Sequence, residues 1–137
     1  MNFTTIPFEG DLTEDQVTNI ASWVAALRSG DYNQGRRVLT SIQGDEFCCL
    51  GVACQIKEVE IKEGHFIFGE YEAILMPDSD WFRDKYGFQP DRRIALTDQE
   101  DRIHLANLND GYHLSFGKIA DVITSVFIKR ERVEFEN

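Results

Sequence analysis

Tyr32, Gln34, Arg36 and Arg37 share one short loop with Gly35, and that combination suits the capture of an anion that carries a ring. A guanidinium offers a planar fork to phosphate or carboxylate. A tyrosine ring can stack on a base, and a glycine lets a ligand approach the backbone. The plainer reading is a polar helix-to-strand loop with solvated arginines. A second polar group, Asn107, Asn109 and Asp110, has the right atoms to read a base edge or a ribose. Asn and Asp also bond their own backbone and build turns, which is the simpler role for them.

The cysteines are the other source of chemistry. Cys48 stands where a short strand gives way to a helix. A thiol at a helix N-terminus is shifted toward thiolate by the helix dipole. With His65 and either Asn107 or Asp110 it would make a Cys–His–Asx constellation for hydrolysis, and Cys49 is a second candidate nucleophile. The favoured reading is simpler: Cys48, Cys49 and Cys54 are small buried hydrophobes. Zinc ligands come at short fixed spacings, which these cysteines lack, and His65, His104 and His113 are isolated from one another. His104, between Ile103 and Leu105, reads as a surface or satisfied polar residue. Asp98, Glu100 and Asp101 lie in no calcium-loop pattern, and no glycine-rich phosphate loop is present. No metal and no cofactor are therefore expected.

The elements that must position these groups can be read from periodicity. Residues 1–12 read as an extended arm. Thr13-Glu14-Asp15-Gln16 is a capping box, and Val17, Ile20, Ala21, Val24 and Leu27 follow at helical spacing. With Arg28 and Gly30 as stop signals, a helix is predicted over 13–29. Val38 to Ile42 reads as a strand, Gly44-Asp45 as a turn and Glu46-Phe47 as a short return strand. A helix over 48–57, apolar on most of its surface, should be buried. Val59 to Lys62, His65 to Phe68 and Tyr71 to Met76 read as strands. Pro77 ends them, and Asp78 or Ser79 caps a short helix closed by Gly87. Ile94 to Leu96 reads as a strand, and Thr97 to Glu100 as a second capping box opening a helix that carries Ile103, Leu105 and Leu108. Asn109-Asp110-Gly111 reads as a turn, Ser115 caps the last long helix, and 128–137 is a terminal strand or tail. The sum is one α+β domain spanning 1–137, helices packed on a small, mostly antiparallel sheet.

Composition narrows the role. The chain has 137 residues, 42% of them hydrophobic, enough for one core. The net charge of −10 repels nucleic acid and anionic membranes at long range, so neither is an expected partner. No second recognition helix follows the last long helix, which argues further against DNA reading. A local basic pocket can still hold an anion, since short-range contacts outweigh a screened field. The absence of a signal-peptide layout and the odd cysteine count point to a reducing cytoplasm.

Four segments, in order, resemble stretches that recur in small phage and prophage proteins. They are Trp23 to Gly35 (WVAALRSGDYNQG), Phe47 to Val52 (FCCLGV), Met76-Pro77 with Trp81, and Leu105 to Asp110 (LANLND) followed by Ser115 to Ile123 (SFGKIADVI). The resemblance implies a bacterial-host cytoplasm and an accessory role against host defences. It supplies no catalytic residue. The expected function is a non-enzymatic binder that sequesters a small anionic, nucleotide-type signal. An acidic protein-binding inhibitor or nucleic-acid mimic and a cysteine hydrolase stand as alternatives. A host protein is an alternative partner, and a homodimer is an expectation because a symmetric partner deepens a shallow pocket.

Overall fold

The structure, a computed structural model, describes residues 2–136. Met1 and Asn137, the ends of the expected arm and tail, lie outside the described residues. The longest helix, α1 (Glu14–Arg28), opens with the expected capping box: Thr13 Oγ1 accepts from Gln16 N at 3.1 Å and Gln16 Oε1 accepts from Thr13 N at 2.9 Å. Its inner face buries Ile20, Trp23, Val24 and Leu27. Helix α2 (Cys49–Gln55) is buried on nearly every side, as its apolar surface requires. Trp23 Nε1 donates to Cys49 O at 2.9 Å, which ties α1 to α2. Helix α3 (Ser79–Tyr86), capped by Asp78 and ended by Gly87 at φ +86°, sends Tyr86 OH to Ala53 O at 2.6 Å. Two further helices follow, α4 (Leu105–Asp110) and α5 (Phe116–Ile123), the latter running into a π turn over Thr124–Ile128. All buried hydrophobics form one cluster, so the chain has a single core.

The strands are two to four residues long and form three small sheets in place of one. The first sheet has the order β7 (Ala95–Leu96), β1 (Asn2–Thr5), β8 (Glu134–Glu136), all antiparallel. The expected arm is thus extended, but it is the middle strand of a sheet, with Phe3 fully buried. The expected terminal strand is its partner, in register Phe3 with Phe135. The second sheet pairs β2 (Asn33–Gln34) with β3 (Glu46–Phe47) in parallel. The third is an antiparallel meander of β4 (Glu60–Lys62), β5 (His65–Phe68) and β6 (Tyr71–Ala73).

Three local expectations need correction. Val38–Ile42 is not a strand; it makes a single bridge, Thr40 with Phe47. The Ser41 hydroxyl accepts from Asp45 N and Glu46 N, both at 3.1 Å, and so turns the chain before a ladder can grow. The Thr97 hydroxyl does accept from Gln99 N and Glu100 N, but no helix follows. The chain instead pairs back on itself: Ile94 N and Ala95 N both donate to Ile103 O, at 2.9 and 3.2 Å. The helix starts only at Leu105, and Asn109 and Asp110 form its last turn where a free turn was expected.

Candidate functional site

The loop after α1 and helix α4 meet, so the two polar groups singled out from the sequence are brought together. Asn109, fully buried, is the joint. Its Oδ1 accepts from Gln34 Nε2 at 2.9 Å and from Cys49 N at 3.2 Å. Its Nδ2 donates to Gly35 O at 2.9 Å and to Asp110 Oδ1 at 2.8 Å. A side-chain amide has two donors and two acceptor lone pairs, so Asn109 has nothing left for a ligand. Gln34 spends its second donor on Leu114 O at 2.8 Å. Both are framework of the site. Tyr32 is half-buried with its ring edge-on to Phe47, centroids 5.8 Å apart, so it packs on the core and does not line a hollow. Arg36 is exposed and lies outside the hollow. These four residues are corrections to the expected binding set.

The remaining three converge. Arg37, Asn107 and Asp110 line an open hollow of about 600 Å³ together with Leu75, Met76, His104, Ala106 and Gly111. Arg37 has a left-handed backbone, φ +75°, which costs a non-glycine residue about 1 kcal/mol or more. A hydrogen bond compensates: Arg37 N donates to Asp110 Oδ1 at 2.8 Å. No ion pair or hydrogen bond engages the Arg37 guanidinium among the described residues.

His104 was not expected in the site. It precedes α4, and its N–H donates to Asn107 Oδ1 at 3.0 Å, the backward half of a capping box. The Asn107 N–H goes to the His104 carbonyl at 3.0 Å, and the enclosed His104 Nδ1 has no hydrogen-bond partner among the described residues. The spacing His104-x-x-Asn107 was the signal that could have shown it. His104 and Asn107 also line a second hollow, about 300 Å³, whose other walls are Asp91, Arg93, Glu100 and Arg102. Arg93 and Arg102 each precede a buried isoleucine, Ile94 and Ile103, and the backbone bonds between those isoleucines hold the two arginines on one wall. Glu100 is fixed by Tyr112, whose hydroxyl donates to Glu100 Oε2 at 2.8 Å.

Burial lowers the His104 pKa from 6.5, against the raising influence of Asp91, Glu100 and Asp110. Between that lowered value and 6.5 the unfolded chain binds a proton that the folded chain refuses. Stability contributed by neutral His104 is therefore complete above pH 6.5 and is lost as pH falls through the window. Denaturant unfolding of the protein and of His104→Gln at pH 7.5 and pH 5 checks this: the unsubstituted chain should lose more stability on acidification.

All three cysteines are buried and free. Cys48 is the N-cap of α2 and its Sγ accepts from Gly51 N at 3.4 Å, but it is buried. Desolvation outweighs the helix terminus and pushes the Cys48 thiol up to about 12. Burial holds Cys49 and Cys54 well above the ordinary thiol value too. His65 pairs with Glu72, Nδ1 to Oε2 3.3 Å, and not with a thiol. Burial thus bears out the reading of the three cysteines as small buried hydrophobes and goes against the alternative of a dipole-activated Cys48. Among the described residues no group of three His, Cys, Asp or Glu side chains is placed to hold a metal ion, and no helix is long and apolar enough to cross a membrane.

Comparison with curated proteins and with solved structures found no match. Residues 17–127, which take in α1 from Val17 onward, α2 through α5 and every residue lining the Arg37 hollow, match the family described as a domain of unknown function (DUF8296), and the chain belongs to that family.

Proposed function

We propose that this protein is a non-enzymatic binder that captures a small anionic, nucleotide-type ligand in the Arg37 hollow. The observation that carries the reading is the Arg37 side chain, held at the rim by a strained backbone and left without an internal partner. A guanidinium that is not neutralised by the protein is available to an anion, and Asn107 lies on the same wall. Leu75, Met76 and Ala106 supply the apolar surface a ring would cover. The volume, about 600 Å³, lies within the range of small-molecule sites. Among the described residues the thiols are buried and the Cys48 thiol is raised, which favours capture over cysteine catalysis. By its likeness to small phage proteins, such capture would lower a host defence signal in the bacterial cytoplasm.

Arg37→Gly tests this cleanly. Glycine adopts φ +75° without strain, so the variant loses the guanidinium while its fold is kept. Calorimetry with AMP, ADP-ribose and cyclic dinucleotides should show heat for at least one of them. Arg37→Gly should weaken that binding about tenfold to a hundredfold, the worth of a hydrogen bond to a charged group. Absence of heat from every one of these ligands overturns the reading.

A further inference from the structure

We propose that the hollow lined by Asp91, Arg93, Glu100 and Arg102 is a second subsite for a ribosyl phosphate. The ligand is then a nucleotide extended beyond its first phosphate by a second sugar, a nucleoside diphosphate sugar. The inference rests on the Arg37 reading above and names the ligand class for that site.

Three observations carry it. The two hollows share His104 and Asn107, so one extended molecule can pass from one to the other. Their walls differ in kind: Leu75, Met76 and Ala106 face the first, while every residue lining the second is polar or charged. A ring belongs in the first and a hydroxylated, charged unit in the second.

The second hollow also has balanced charge, two guanidiniums and two carboxylates. No ion pair within 4.0 Å joins them among the described residues. A bare anion would meet the arginines but also the carboxylates of Asp91 and Glu100. A ribosyl phosphate satisfies both signs at once, its phosphate oxygens accepting from Arg93 and Arg102 and its hydroxyls donating to Asp91 and Glu100.

The experiment compares AMP with ADP-ribose by calorimetry on the full chain, and on Arg93→Gln/Arg102→Gln. Both arginines are exposed, so the double variant should fold; circular dichroism confirms it. ADP-ribose should bind about thirtyfold or more tightly than AMP, and the double substitution should bring that ratio to about one. A ratio near one in the unsubstituted protein overturns the second subsite while leaving the Arg37 reading intact. A large ratio that survives the double substitution does the same. If neither compound binds, the second subsite falls, and the Arg37 reading falls too if the cyclic dinucleotides also give no heat. The wild-type ratio stands as a test whether or not the double variant folds.

Discussion

Asn109→Asp is expected to cost about 4 kcal/mol of stability at pH 7, a large part of what a domain of this size possesses. The native amide is fully buried and makes four hydrogen bonds, two as acceptor and two as donor. The substitution keeps the acceptor side toward Gln34 and Cys49. It replaces the donor side with a carboxylate oxygen facing Gly35 O and Asp110 Oδ1, which stood 2.9 and 2.8 Å from the nitrogen. An ionised carboxylate there is desolvated and repelled by two acceptors. Its folded pKa must rise above the ordinary aspartate value, so the penalty is greatest at neutral pH and shrinks as pH falls toward 4. Denaturant melts of wild type and variant at pH 7 and pH 4.5 measure this. A variant whose deficit is the same at both pH values would show that the cost is packing and not charge. Because Asn109 also joins the Gly35 backbone to α4, the substitution should loosen the Arg37 hollow before the core unfolds.

Gly51→Ala should cost about 3 kcal/mol, seen as a fall of about 10 °C in melting temperature. Helix propensity argues the other way: alanine is better than glycine inside a helix by about 1 kcal/mol. Sterics win because a Cβ at Gly51 would stand 1.8 Å from Leu39 O and 2.8 Å from Leu39 C. Those atoms are backbone and cannot swing aside. Leu39 O accepts from Cys48 N at 3.2 Å, and Leu39 N donates to Ile74 O at 2.8 Å. Moving the Leu39 segment therefore breaks the link between the start of α2 and the chain that leaves the β4–β6 sheet at Ile74. A melting temperature unchanged or raised in Gly51→Ala would mean that this close approach is not made in solution. The glycine in the FCCLGV segment, Gly51, has here a mechanical reason: a helix and a strand-like backbone pass at contact distance.

Periodicity and capping chemistry were sufficient for the local elements. Thr13 with Gln16, Asp78 with Gly87, and Ser115 are signals between residues three or four apart or at a helix end, and each produced a helix where it was read. The same locality explains the failures. Thr97 made its hydroxyl bonds, but the strand pairing of Ile94 and Ala95 with Ile103 claimed the backbone that a helix would need. Val38–Ile42 has strand-forming residues, but the Ser41 side chain turned the chain. The α+β class followed from residue types and their spacing alone, and the Tyr32–Arg37 loop and the Asn107–Asp110 group were each visible as polar groups. That the two meet, and which of their members face a ligand, were not. Asn109 spends its capacity on partners as far as Gln34, 75 residues away, and the Arg37 backbone N–H is held by Asp110, 73 residues away. Burial likewise reversed the expected acidity of Cys48. Hydrogen bonds between distant residues and the removal of water from a side chain exist only once the chain has closed on itself, so the tertiary structure alone decided the site.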